Sequence, residues 1–561
     1  MDNTRVARVL EAIADLLELE DVQWKPRAYR AAAQSIAFMS EDINDVYQKG
    51  LLEDIPHVGS SIAKKIAELI KTGSLRYYER LKKKSKVNIE ELSRIEGLGP
   101  KTIKHLYDAL HITNLASLKK AAEEGKIRNL EGMGKKREKN LLEAIHFAQK
   151  TKDRHVRGHV VRDIDALKTH ITRNPAAGLF LIAGSYRRYT ETIGDIDILV
   201  TSTQPKKLIT HINAFERIER MLAKGSTKTS FVLKNGLHVD VRVVDKNSFG
   251  SAAQYFTGSK YHNIALRKIA QKKGLKLSEY GLFRGEKRIA GKNEKSVYAG
   301  LGLQYISPEL RENQGEIELA KNKKIPTLVA KVHGDVQMHT HYSDGANSVG
   351  EMIHACKKMG YAYMGISDHA GTLKIAGAMN KQQIAKQRKE IDKQDFHVLQ
   401  GAEVDIDSKG KLTLKNDALK DFDYVIASIH SGFHQTKQQL TTRILAAMQN
   451  EYVRIIAHPT GRVIGKREGY TLDWERVFNT SKETNTYLEI NASPERLDLR
   501  DEHIHAAINA GCKLIINTDA HNTDSLHCMD AGIGMARRGY AQDKHIINTK
   551  SYMPFLKLLK A

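Results

Sequence analysis

The 561-residue sequence predicts a multidomain protein: an all-α N-terminal region, an α/β middle region and a C-terminal β/α barrel. Three observations carry this. Val6, Val9, Leu10, Ile13, Leu16 and Leu17 recur at helical spacing, and helical patterns continue to residue 150. After residue 151 the strand-like runs LFLIAGS, DIDILV and HVDVRVV alternate with helical stretches. From residue 333 seven apolar runs alternate with helical stretches, and most end on a polar or metal-ligating side chain. A β/α barrel sets its active site at that end of its strands. At roughly 100–200 residues per domain, the length suits three to five domains.

Composition narrows the class. Hydrophobic residues at 41% and charged residues at 28% exclude a disordered chain. The sequence has no apolar run of roughly eighteen residues, so no transmembrane helix is expected. Acids interrupt every apolar stretch of the first twenty residues, which argues against a secretory signal. Cys356, Cys512 and Cys528 form no CxxC pair. That argues against a disulfide framework and fits a reducing cytoplasm. The formal net charge is +23, unevenly spread: +5 over 1–150, +16 over 151–332 and +2 over 333–561. A polyanion-binding middle region would look like this, and so would a generally basic surface. Fourteen of the 24 histidines fall in the nearly neutral last part, so a second chemistry is expected there.

In the N-terminal region three segments resemble one another: DIPHVGSSIAKKIAEL, RIEGLGPKTIKHLYDAL and NLEGMGKKREKNLLEAI. Each runs from an apolar residue through a hairpin at Gly59, Gly99 or Gly134 into a basic helix. Such a hairpin presents backbone N–H groups and a helix N-terminus to a phosphate. One copy would be an ordinary glycine-capped turn. Three copies, each followed by lysines, resemble helix-hairpin-helix motifs, which grip a DNA backbone without reading sequence.

The middle region carries GSYRRYTETIGDIDILV and then HVDVRV. Asp195 and Asp197 stand at i and i+2 on a strand, so both carboxylates face one side. Asp240, on a second strand, can face them. Three carboxylates without a basic partner repel one another, and divalent ions relieve that repulsion. Two ions a few ångströms apart stabilise the attacking and leaving oxygens of a phosphoryl transfer. Gly184 and Ser185 can turn tightly against a triphosphate, with Arg187 and Arg188 beside it. A lone DID is usually a cap or a solvated turn. The full combination is the nucleotidyltransferase signature.

These residues closely resemble a family X DNA polymerase of the polymerase beta type, whose palm is an α/β nucleotidyltransferase domain. The resemblance continues through YFTGSKYHNIALR, the family's nucleotide-selecting, thumb-type segment. It places Tyr255 and Phe256 near the incoming sugar, where they disfavour ribonucleotides, and gives Gly258 a close backbone approach. It sets Asn263 and Arg267 on the nucleotide and template minor-groove side. Arg154 aligns loosely with an upstream triphosphate contact, and Gly194 opens the GDID motif. The chain departs from the family at Tyr189, often Gly, and at Lys260, often an acid. Near the N-terminus, Lys65 stands where lyase members form a Schiff base with an abasic sugar, and Lys25 and Tyr29 resemble their 5′-phosphate pocket. Ser61 and Tyr77 replace lysines of those members. A lysine attacks as an amine only when partly neutral, which burial or nearby cations such as Lys64 favour. Otherwise Lys65 is a solvated contact to the DNA backbone.

The last region gathers nine ligand-type residues at strand ends: His339, His341, Asp344, His369, Glu403, His430, His458, Asp519 and His521. Imidazole and carboxylate suit borderline ions such as Zn²⁺ and Mn²⁺, and nine ligands exceed what one ion takes. The set resembles the polymerase and histidinol phosphatase (PHP) domain motif by motif over 333–561. That resemblance implies a distorted (β/α)7 barrel and metal-dependent phosphoester hydrolysis. Behind a family X polymerase it is similar to the bacterial and archaeal arrangement, whose barrel is a 3′–5′ exonuclease and in some members an AP endonuclease.

The expected division is a helical, lyase-like DNA-binding domain at 1–80 and a helix-hairpin-helix domain at 81–150. A palm at 151–250, a thumb-type subdomain at 251–311, a polar linker at 312–332 and a PHP domain at 333–561 follow. The resemblance implies a gap-filling repair polymerase of base excision repair with its own 3′–5′ exonuclease. Mg²⁺ or Mn²⁺ is expected on Asp195, Asp197 and Asp240, and two or three Zn²⁺ or Mn²⁺ ions in the barrel. Gapped or nicked DNA and deoxynucleoside triphosphates are the expected partners of a monomer in the cytoplasm, at the nucleoid. Two alternatives are a small-metabolite phosphatase tethered to a DNA-binding module and a non-catalytic DNA end-binding scaffold. The hairpin repeats and the +16 segment argue against the first, and the intact triad argues against the second.

Overall fold

The computed structural model describes residues 3–37, 43–93, 95, 98–151, 154–371 and 377–560. Arg94, Glu96 and Gly97 of the second hairpin lie outside these. Residues 1–152 with 465–468 form one compact unit, and residues 153–464 with 469–561 form another. Among the described residues no helix is long and apolar enough to cross a membrane.

The first unit is helical, as its periodicity requires. In Asn3–Leu19, Val6, Leu10, Ile13 and Leu17 form a buried stripe, and this helix packs on Lys25–Ala37. In Ser60–Thr72 the buried side is Ile62, Ala63, Ile66 and Leu69, and Gly73 ends the helix at φ 73° with its N–H on the carbonyl of Leu69. Three further helices, Pro100–Leu110, Leu115–Glu123 and Gly134–Thr151, continue the pattern.

The second unit begins with a five-stranded sheet. Its order is Ala177–Ile182, Asp195–Ser202, His238–Val243, Lys228–Leu233, Ile218–Lys224. The two strands that carry the acids pair in parallel, with Asp195 opposite His238 and Asp197 opposite Asp240. Alternation puts Ile196, Ile198, Val239 and Val241 in the core beneath. The helices Phe249–Thr257, Lys260–Lys272 and Glu294–Gly300, with a small antiparallel sheet, follow.

The segment 312–332 is not a polar linker. It holds the helix Glu316–Lys321, and Glu316 is fully buried. The Glu316 carboxylate accepts from His262 Nδ1 at 2.6 Å and from the backbone N–H groups of Asn313 and Gln314 at 2.9 and 2.7 Å. The segment looks polar in sequence because its buried acid finds its partner 54 residues away.

The rest is the barrel. Seven strands run in parallel order: Gly334–Asp335, Tyr363–Ile366, Val398–Asp405, Tyr424–Ser428, Val453–Ile456, Tyr487–Asn491 and Leu514–Asn517. The short strand His369–Ala370 joins beside Val398–Asp405. A parallel bridge from Met338 to Ala520 links the first and last turns of the path. Tyr424 fills the interior and donates to the carbonyl of Val336 at 2.5 Å. A Cβ at Gly365 or Gly401 would lie within 2.3 Å of its ring or hydroxyl, so only glycine leaves it room. The C-terminal helix Tyr552–Lys560 closes that core with Phe555 stacked on Tyr363 at 4.5 Å.

Candidate functional site

The predicted residues fall into three groups, in the helical unit, the palm and the barrel. In the helical unit, Gly59 and Gly99 precede helices with extended backbones and no side-chain cap. A Cβ at either glycine would meet nothing within 4 Å. The first-turn N–H groups are therefore approachable by an anion. Gly134 opens its helix at φ 42°. Lys65 Nζ donates to the Ser61 hydroxyl at 2.9 Å and lies 5.1 and 5.9 Å from the ring centroids of Tyr77 and Tyr29. Burial first, then the nearby charge of Lys25, lowers its pKa, against Glu68. The cation that favours its neutral amine is thus Lys25 rather than the expected Lys64.

At the palm, Asp197 faces Asp240 through the parallel register and Asp195 sits two residues before it, exposed at the strand end. Burial first, then repulsion from Asp195 and Asp240, pushes the Asp197 carboxyl up to about 6, against Arg242 and Lys228. The expectation that no base stands near needs correction. Asp240 lies 3.2 Å from Lys228 and 3.3 Å from Arg242, and Ser230 donates to it. These partners come from its own strand and the adjacent antiparallel strand.

Gly184 turns over this triad at φ 65°, and a Cβ there would lie 3.2 Å from Asp197 Oδ2. It opens the single turn Gly184–Arg187, in which Ser185 stands, so the tight turn is a short helix. Arg154 donates to the hydroxyl and carbonyl of Thr192, 2.9 and 2.6 Å away, beside Gly194. Arg187 and Arg188, expected beside the triphosphate, are each engaged by groups of the following subdomain. Arg187 grips Glu294 at 2.6 and 3.0 Å. Arg188 is held by Glu312 at 2.9 Å and by the carbonyl of Thr257 at 2.5 Å. Half-buried acids of the following subdomain compete for both cations.

Tyr255 and Phe256 stand edge to face at 5.2 Å, with Arg242 stacked 4.6 Å from the Phe256 ring. Gly258 ends their helix at φ 69°. Asn263 accepts from Gln254 at 2.6 Å and donates to the carbonyl of Tyr255 at 2.7 Å, which holds the segment together. Arg267 is exposed on the following helix.

In the barrel, Glu403 is central. Its carboxylate lies 3.4 Å from His339, 3.2 Å from His430 and 3.3 Å from His458, and Gln337 donates to it at 2.9 Å. Asp519 lies 3.2 Å from His339, and Asp344 lies 3.5 to 3.7 Å from His339, His369 and His521. Three sets can each hold an ion: His339, Asp344, His369 and His521; His369, Glu403 and His430; His339, Glu403 and Asp519. The fit to metal is chemical. His339 is fully buried with neither ring nitrogen in a hydrogen bond, and the acids approach it at ion-pair distance without hydrogen-bond geometry. Imidazole nitrogens and carboxylate oxygens crowded together without hydrogen bonds are what a cation satisfies.

Electrostatics agrees. Burial opposes charge on His339, yet Asp519, Glu403 and Asp344 hold its pKa well above the usual histidine range. Burial pushes His369 down to about 4. Despite its burial, Glu403 is held well below the usual carboxylate range by His369, His339, His430 and His458. His458 belongs to the cluster through Glu403 but to none of the three sets. His341 departs from expectation. It is exposed, stacks on Tyr342 at 5.0 Å and joins none of the three sets. The chain leaves its strand after Asp335, so residues 339 and 341 do not share a strand face. Gln337 and Asp405 join the site without being among the nine expected ligands; the Asp405 carboxylate lies 3.3 Å from His430 Nδ1. Position one or two residues from a strand-end ligand was the available signal.

The comparisons with known proteins follow the same divisions. Residues 1–75 match the family described as "Helix-hairpin-helix domain" and 89–146 the "SAM-like Helix-hairpin-helix tandem". Residues 157–269 match "DNA polymerase beta palm", 252–312 "DNA polymerase beta thumb" and 335–493 "PHP domain". The chain is 37% identical to the DNA polymerase/3′-5′ exonuclease PolX of Bacillus subtilis (strain 168), over 100% of both chains. It is 26% identical to DNA polymerase lambda of Rattus norvegicus, over 55% of this chain and 56% of that one. A probable phosphatase of Thermoanaerobacter sp. (strain X514) is 26% identical over 38% of this chain and 89% of its own. Palm and PHP domains together imply dependence on divalent metal ions. From the paired acids of the palm to the histidines of the barrel, the chain belongs to the family X DNA polymerases of the polymerase beta type that carry a C-terminal PHP domain, the bacterial and archaeal arrangement.

Proposed function

We propose that the protein fills short gaps in DNA by template-directed addition of deoxynucleotides at Asp195, Asp197 and Asp240, and removes 3′-terminal nucleotides in the barrel. The observation that carries the first half is the parallel register that sets Asp197 opposite Asp240 beside Asp195. Its electrostatic consequence is a half-buried carboxyl pushed up to about 6, by burial first and then by repulsion from Asp195 and Asp240. The raised acid marks a functional rather than a structural cluster.

Asp195, Asp197 and Asp240 would hold Mg²⁺ or Mn²⁺, and the three barrel sets would hold two or three Zn²⁺ or Mn²⁺ ions. When bound, such ions activate the attacking oxygen and stabilise charge on the leaving oxygen. At the palm the primer 3′ oxygen attacks the α-phosphorus and pyrophosphate leaves. In the barrel water attacks the last phosphodiester and a nucleotide leaves. Gly184 lets the triphosphate approach the backbone, Tyr255 and Phe256 wall the sugar, and Asn263 and Arg267 face the base pair. Gly59, Gly99 and Gly134 hold the DNA backbone.

Lys65, with Lys25 and Tyr29 beside it, would serve as a lyase nucleophile on an abasic 5′ end. The barrel would also cleave at abasic sites or remove 3′-phosphoester blocks. The protein acts as a monomer in the cytoplasm. The test is incubation with a gapped duplex, the four deoxynucleotides and Mn²⁺. Extension of the primer supports the polymerase, and shortening without nucleotides supports the nuclease. Binding without turnover supports a scaffold instead, and hydrolysis of small phosphomonoesters with neither DNA reaction supports a tethered phosphatase.

A further inference from the structure

The palm turn Arg188-Tyr189-Thr190-Glu191 is gripped by the barrel at three of its four residues. Arg538 donates to the carbonyl of Arg188 at 3.0 Å. The Tyr189 hydroxyl donates to Asp530 at 2.8 Å. Glu191 pairs with Arg462 at 2.6 Å, and the rest of that nearly buried guanidinium donates to the carbonyls of Arg496 and Leu497. The Tyr189 ring also stacks on buried Arg157, 4.3 Å away, and rests on Gly534 in the barrel helix Met529–Arg538. A Cβ at residue 534 would come 1.9 Å from that ring, so only glycine admits it.

Two features make this more than packing. Tyr189 holds φ 56°, a left-handed backbone that disfavours a bulky side chain. Its contacts with the barrel are what offset that strain. The turn also separates Arg188 from the loop that leads to Asp195, and Arg154 and Arg157 tie down that loop's start. A shift of the turn therefore moves the triphosphate-side arginine, Arg188.

We propose that the barrel helix Met529–Arg538 and Arg462 are structural parts of the polymerase's nucleotide site. Tyr189 and Glu191 act as positioning residues through which the phosphoesterase domain sets nucleotide affinity. The proposal rests on the reading of the palm as a polymerase with Arg188 beside the triphosphate. It makes the barrel necessary for nucleotide addition in a way that its own chemistry is not.

The experiment is steady-state gap filling by the full-length protein, with KM for the deoxynucleotide and kcat read separately. Gly534→Ala drives a methyl into Tyr189 and should raise KM about fivefold or more, with kcat within about twofold and 3′ shortening unchanged. In a Tyr189→Gly background the same Gly534→Ala change should have no further effect, because the colliding ring is gone. Should Gly534→Ala fail to fold, Arg462→Gln supplies the second perturbation, with a raised KM that Arg462→Lys partly restores. An unchanged KM in a folded Gly534→Ala or Arg462→Gln protein overturns the proposal, as does a full Gly534→Ala effect without the Tyr189 ring. A wild type that fails to extend the gap overturns the polymerase reading and the proposal with it; one that extends while the variants match it overturns the proposal alone.

Discussion

Replacing Glu403 with Gln should separate the two activities. The change keeps the volume of a fully buried side chain, so it opens no cavity. It removes the charge that faces His339, His430 and His458 at 3.2 to 3.4 Å and turns one acceptor into a donor aimed at imidazoles. Glu403 belongs to two of the three candidate ion sets. Bound metal should therefore fall to the ions held by His339, Asp344, His369 and His521. Losing the charge stabilisation of bound ions removes several kcal/mol of barrier lowering, so 3′ degradation should drop about 10³-fold. Nucleotide addition should stay within about twofold, since the palm acids lie on a separate sheet. Metal content by elemental analysis and the rate of primer shortening read both effects. A variant that keeps its full metal content and degrades at the wild-type rate would refute the assignment of Glu403.

Asp240→Ala should cut nucleotide addition by about 10³-fold while degradation persists, read as extension and shortening of one labelled primer; near-normal extension would sink the triad. His339→Ala should lower metal content and degradation far more than His341→Ala, because His341 is exposed and outside the three ion sets; equal losses would contradict the geometry. Borohydride should trap an adduct between the protein and an incised abasic duplex that disappears in Lys65→Ala. Its yield should rise with pH and level off below the range of an ordinary lysine, because the Lys65 pKa is lowered and the neutral amine dominates above it. Glu316→Ala leaves His262 and two backbone N–H groups without their acceptor, and should cost about 3 kcal/mol or more in denaturant unfolding.

Much of the site could be read from the chain because both catalytic regions follow local rules. The barrel strands are buried on both faces, so each appears as a short apolar run, and most ligands stand near or beyond the end of a run. Asp195 and Asp197 declare a shared face by their spacing alone. What stayed hidden depends on partners distant in sequence. Lys228 and Ser230 reach Asp240 from the neighbouring strand, and Arg187 meets Glu294 across 107 residues. Glu316 looked like part of a solvated linker because nothing near it in sequence shows that His262 buries it. The HTH run reads as a strand that would set His339 and His341 on one face, whereas the strand stops at Asp335. Tyr189 was visible only as a departure from the family pattern. Its partners Asp530 and Gly534 lie more than 300 residues on.

On this reading one chain carries two separable phosphoryl-transfer sites, one building and one removing the same 3′ end. The most direct measurement follows a single 5′-labelled primer in a one-nucleotide gap with Mn²⁺, by wild type, Asp240→Ala and Glu403→Gln. Wild type should fill the gap when nucleotides are present and shorten the primer when they are absent. Asp240→Ala should only shorten it, and Glu403→Gln should only extend it. Loss of both reactions in either folded variant, or either reaction surviving the loss of its assigned acid, would contradict it.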